Sequence, residues 1–272
     1  MKFDMSAAWS EAMAMFNANR EVLLVVAGIF FFLPAVLQGF VMPPLQEVLT
    51  ATDAEAMQRQ ISEIYLDYTW LIVLVAIAQI AGTLALLVLL RDQRRPTVGE
   101  AIRRGFAGLL PIVGAYLLVA FAVILAFVVA TLATLATLAA PIVGAVVWLI
   151  LAIGLAYTMI RLSLLQPVVA IEQVRNPLAA LRRSWAETRG HVGQLLLFFV
   201  LLTIAYIVVA MMVGLVVGAI GMVLGEASAL IVSGVVSGLL AAVATTIFTA
   251  VQAAIHRQLG EPARLAATPP QL

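Results

Sequence analysis

Apolar positions dominate this chain in long blocks, and the charged positions fall between the blocks. Charge-free runs cover Val22–Gln46, Tyr68–Leu90, Gly105–Ile160, Val192–Gly225 and Ala227–Ile255. A membrane-crossing helix needs about 20 apolar residues. The third run holds enough for two crossings, with a turn near Thr131–Pro141. The pattern therefore predicts six spans, at about 21–42, 69–90, 108–130, 142–161, 192–216 and 228–254. The first run begins only after Arg20 and is longer than the apolar segment of a secretory signal, so it reads as a span.

Shorter amphipathic stretches lie ahead of or between the spans. Met5, Trp9, Ala12, Met13 and Phe16 recur at helical spacing before the first. Thr52-x-x-Glu55 and Thr97-x-x-Glu100 are capping boxes, the first followed by Met57, Ile61 and Ile64, the second by Val98, Ile102 and Phe106. Asn176-Pro177 reads as an N-cap with proline at the first helical position, with Leu178, Leu181 and Trp185 on one face. All four are expected as short helices lying in the headgroup plane. Ala101–Phe106 and Ala180–Trp185 match in pattern at an offset of 79, each with an Arg-Arg pair, and Ala12–Phe16 is a weaker copy. Each precedes a pair of spans. This implies a threefold repeat of interfacial helix plus hairpin within one membrane domain, with units at about 1–90, 91–172 and 173–272. The expected fold class is all-α, integral membrane, six transmembrane helices.

The distribution of charge orients the chain. The segments 1–20, 91–104, 161–189 and the tail after span 6 carry 14 of the 15 basic residues. Arg59 is the exception, in a loop with Glu47, Asp53, Glu55, Glu63 and Asp67. With six spans the arginine-rich segments share one side, and the positive-inside rule makes that side cytoplasmic, with both termini there. Tyr65, Tyr68 and Trp70 sit where a span would meet the opposite interface. Gly214/Gly218, Gly221/Gly225 and Gly234/Gly238 permit close helix approach, within the chain ahead of between copies.

Composition narrows the function. Of 272 residues 64% are hydrophobic and 11% charged, against about 25% charged in a soluble domain, and mean hydropathy is +1.12. A soluble enzyme and a nucleic-acid binder are excluded. There is no cysteine, which removes disulfides, thiolate metal sites and cysteine nucleophiles. P-loop, dinucleotide, zincin, EF-hand and nucleophile-elbow motifs are absent from the sequence. No catalytic residue, cofactor or metal is expected. The spans hold neutral polar groups such as Gln38, Gln79 and Thr83 rather than charges, which speaks against proton-coupled pumping. His191 and His256, even with Glu187 nearby, form too scattered a set for a metal, and are expected to be solvated at the interface.

Two groups of residues remain as candidates. Arg103, Arg104, Arg182, Arg183 and Arg189 suit binding of anionic lipid headgroups or a protein partner, since juxtamembrane basic residues gain about 1 kcal/mol each from an anionic surface. Arg161 and Glu172 bracket a stretch interrupted by Gln166-Pro167. They suit either a solute pathway or a structural ion pair fixing the exit of span 4, with Glu172 paired to an arginine. The expected function is a non-catalytic membrane protein engaging anionic lipids or a partner. A permease for a small or amphipathic solute is the alternative, and a membrane lipid hydrolase ranks last.

Three stretches carry a family resemblance: Arg95-Pro-Thr-Val-Gly-Glu-Ala-Ile102, Arg161-Leu-Ser-Leu-Leu-Gln-Pro-Val-Val-Ala-Ile-Glu172, and Asn176-Pro-Leu-Ala-Ala-Leu-Arg-Arg-Ser-Trp-Ala-Glu-Thr-Arg-Gly190. They resemble the glycerophosphoryl diester phosphodiesterase membrane domain family and related six-span bacterial membrane proteins of unknown function. The resemblance implies a bacterial inner-membrane protein near the lipid envelope. It does not imply the phosphodiesterase activity, because the acidic and histidine metal-site motifs of that enzyme have no counterpart here.

Overall fold

The computed structural model describes residues 3–42, 53–91, 97–136, 140–224 and 226–267. All regular structure among them is helical: α1 (Met5–Ala27), a π-helical turn (Gly28–Phe32), α2 (Leu33–Val41), α3 (Ala54–Arg91), α4 (Val98–Ala136), α5 (Pro141–Arg161), α6 (Leu165–Glu172), α7 (Pro177–Glu187), α8 (Val192–Leu224) and α9 (Glu226–Ala267). Six helical units are long and apolar enough to cross a membrane, with α1–α2 and α5–α6 each counting as one. The chain has the build of a polytopic membrane protein.

The helices run past the apolar runs that nucleate them. At 1.5 Å per residue the 38 residues of α3 reach about 57 Å, against a hydrocarbon core of about 30 Å. This corrects the expectation of four separate interfacial helices. The amphipathic stretches before spans 1, 2 and 3 are the first turns of α1, α3 and α4, continuous with the spans. No glycine or proline ends the helix at those joins, so the backbone ladder simply continues. Only α7 stands apart: Gly190, at φ +85°, takes a left-handed conformation that turns the chain into α8. The two Arg-Arg segments thus precede their spans in different ways.

Local sequence accounts for the ends and bends. Asp4 Oδ1 accepts from the Ala7 and Ser6 N–H groups, and those bonds hold its carboxyl below the usual carboxylate range. Thr97 Oγ1 accepts from the Glu100 N–H, and Asn176 Oδ1 from Leu178 and Ala179, as the capping patterns predict. Thr52 lies outside the described residues; Asp53 caps α3 by accepting from Ala56. Pro34 lies at the start of α2, and a proline ring clashes with the carbonyl four residues back. The π-helical turn just before it, where the Leu33 N–H reaches Gly28 O, widens the helix there.

The tightly packed region sits at one end, and it is the end that carries the arginines. Residues 81–90 of α3 are buried on every side. Around them pack α1, the first halves of α4 and α8, residues 242–255 of α9, and α6. Gly105 allows α4 to approach α3 closely: a Cβ there would lie 2.9 Å from Ala85 N. Phe3 meets Phe198, and Arg257 pairs with Glu11 at 2.9 Å, bringing both described ends of the chain together. At the far end the helices separate and present leucine, isoleucine and valine outward, as lipid-facing helices do. Tyr65 and Trp70 are exposed there. Gly238 packs on Val36 and Phe32, and Gly221 on Ala229, both within the chain, whereas Gly214 and Gly218 line an open groove of about 460 Å³ between α8 and α9.

Candidate functional site

The fourth crossing breaks inside the packed end. α5 stops at Arg161, residues 162–164 form a turn, and α6 resumes with Pro167 in its first turn. Proline cannot donate to the carbonyl of Ser163, and the turn leaves the carbonyl of Arg161 outside the regular ladder. Both are served from neighbouring helices. Gln252 Nε2 of α9 donates to Ser163 O at 3.1 Å. Ser184 Oγ of α7 donates to Arg161 O at 2.9 Å, with Thr188 Oγ1 at 3.3 Å. The break is held by side chains from two neighbouring elements.

Arg161 itself is buried, 6% exposed. It lies under aromatic cover, its guanidinium carbon 4.5 Å from the Trp185 ring centre and 5.4 Å from that of Tyr157. Nη1 donates to the Trp185 carbonyl at 2.8 Å, so a cation meets the negative end of α7. Its Nε is buried without a hydrogen-bond partner.

A second set of charges adjoins on α7. The buried face of this helix is Ala180, Ser184 and Glu187, spaced at helical period, while Leu178 and Trp185 are 54% and 38% exposed. The apolar stripe identified from sequence is therefore divided: Leu178 points outward, Leu181 packs against the core, and Trp185 is partly exposed while covering Arg161. Arg183 grips Glu172 of α6 through two bonds, Nε to Oε2 and Nη2 to Oε1, both 3.1 Å. Its Nε is also 3.1 Å from Glu187 Oε1. The bond to Glu172 raises the Arg183 pKa above its ordinary value, partial burial opposes this, and the charges of Glu172 and Glu187 add to the rise. Glu187 in turn meets His256 of α9, Oε2 to Nδ1 at 2.9 Å, and Glu172 Oε1 is 3.8 Å from His256 Nε2.

The candidate residues thus separate into two classes. Glu172 does pair with an arginine, Arg183. Arg104 pairs with Glu100 at 2.6 Å. Arg103, Arg182 and Arg189 are exposed, as is Arg175. Arg104 and Arg175, with Gln173, Gly108 and Pro111, line a notch of about 100 Å³ between α4 and the turn after α6. His256 is 2% exposed, which overturns its expected solvation; His191 is half-buried and faces Gln194. Sequence spacing made Glu187 and His256 look too scattered to act together, because their separation of 69 residues is closed only by the meeting of α7 and α9. The available signal was a glutamate at the inward position of an otherwise small-residue face. Comparison with protein-family models, curated proteins and solved structures returns no match.

Proposed function

We propose that this chain is a non-catalytic protein of the bacterial cytoplasmic membrane that holds anionic lipid headgroups at its arginine-bearing end, both termini lying on the cytoplasmic side. The observation that carries the reading is the separation of the arginines. Arg161 is buried and Arg183 is held by Glu172, whereas Arg103, Arg175, Arg182 and Arg189 are exposed, and Arg175 lines the notch with Arg104. Topology alone requires basic residues on one side. It does not require a notch lined by Arg104 and Arg175 beside a helix that leaves Leu178 exposed. Segments 161–172 and 176–190, which carry the family resemblance, also build the polar region next to the notch.

Native mass spectrometry from a mild detergent tests this. The comparison is wild type against a variant with Arg103, Arg175, Arg182 and Arg189 replaced by glutamine, which leaves the internal pairs intact. The wild type retains anionic phospholipid and the variant loses it. Equal retention by both, no retention by either, or a co-purifying protein in place of lipid contradicts the reading.

A second reading, a permease for a small or amphipathic solute, draws on the broken fourth crossing, since discontinuous helices often line substrate sites. Here the break is filled by Ser184, Thr188 and Gln252, so the lipid reading is favoured. Solute uptake by proteoliposomes, lost on replacing Arg161, would reverse that preference.

A further inference from the structure

Glu172, Glu187 and His256 come from three helices, and each offers a ligand atom within 4.8 Å of the others'. One imidazole and two carboxylates are a donor set that suits divalent transition metals such as zinc. The cluster is enclosed, with the Glu187 side chain 0% and His256 2% exposed, and Arg183 lies 3.1 Å from a carboxylate oxygen of both Glu172 and Glu187.

The local geometry also leaves room. Glu187 Oε1 is buried and has no hydrogen-bond partner, although the Arg183 Nε charge is close. Gly260, one turn beyond His256, faces this oxygen. A Cβ at that position would be 3.6 Å from Glu187 Oε1 and 3.9 Å from His256 Nδ1, so the glycine leaves a gap beside both. Gln252, one turn before His256 on the same face of α9, has its Oε1 buried without a hydrogen-bond partner.

We propose that Glu172, Glu187 and His256 bind a divalent transition metal of the zinc class, and that Arg183 supplies the positive charge there when no metal is bound. Arg183 is the exchangeable member. Its side chain is 30% exposed, so it can swing outward as the ion enters. Two carboxylates and a dication then sum to zero. The imidazole coordinates through one ring nitrogen and keeps its proton on the other. The metal would join α6, α7 and α9, the three helices that close the break after α5.

Cobalt(II) titration of chelator-stripped, full-length protein in detergent tests this through the visible absorption of tetrahedrally bound Co²⁺. The wild type takes up one equivalent, and Zn²⁺ displaces it. His256→Gln weakens binding by more than the roughly 10–100-fold typical of losing an outer-shell partner. Gly260→Ala fills the gap and weakens binding with the ligands unchanged, which guards against misfolding of the histidine variant. Arg183→Gln removes the competing cation and binds at least as tightly as wild type. Absence of saturable uptake by the wild type overturns the proposal. So does equal uptake by His256→Gln.

Discussion

Gln252 illustrates how single side chains hold the packed end together. Its amide spans 89 positions of sequence to bond the Ser163 carbonyl that Pro167 leaves without a donor. Replacing it with leucine keeps the volume and removes the donor, leaving a buried carbonyl unbonded. Such a loss costs about 1–3 kcal/mol. The expected outcome for Gln252→Leu is a lower thermal midpoint in detergent with helix content unchanged by circular dichroism. An unchanged midpoint would mean that the carbonyl finds another partner. At this scale the sequence was informative about capping and poor about pairing. Asn176 and Thr97 act on neighbours two or three residues away, so spacing alone reveals them. Glu187–His256 depends on how separate helices meet, which no local pattern encodes.

Among the elements, α5–α6 shows why a proline in an apolar run is ambiguous. Pro111 sits inside α4, which runs on through it to Ala136, whereas the fourth crossing breaks just before Pro167. The difference lies in the surroundings: Ser184, Thr188 and Gln252 are present to take the freed carbonyls at the second site. The break is therefore set by α7 and α9 as much as by proline. Pro167→Ala should leave the turn at 162–164 in place, with hydrogen exchange of residues 162–168 unchanged. Ser184→Ala with Thr188→Val should speed exchange there, because it strips the partners of Arg161 O. The reverse pattern would assign the break to proline alone. The number of crossings was readable because length and hydropathy decide it. Continuity of α1, α3 and α4 with their amphipathic starts was not, since periodicity predicts helix on both sides of a join and is silent about a bend between them.

Across the whole molecule, the two ends differ in packing and in charge. One end gathers the buried core, the polar network and nearly all the basic residues; the other splays and carries Asp53, Glu55, Glu63 and Asp67. Helices in lipid gain little from hiding apolar surface from one another, so association concentrates where small residues, hydrogen bonds and ion pairs are available. Gly105, the Arg183 pairs and the bonds around Arg161 supply these at the arginine-bearing end. The proposed lipid site depends on this end facing the cytoplasm as one surface.

That sidedness can be measured directly, because the chain contains no cysteine. Single cysteines are placed at Ser10 and Ala186, exposed at the arginine-bearing end, and at Ser62, exposed at the other. Intact spheroplasts of a bacterial host are then treated with a membrane-impermeant maleimide, with and without permeabilisation. The account predicts that Ser62→Cys reacts in intact spheroplasts, while Ser10→Cys and Ala186→Cys react only after permeabilisation. Labelling of all three without permeabilisation, or the opposite order, would contradict it.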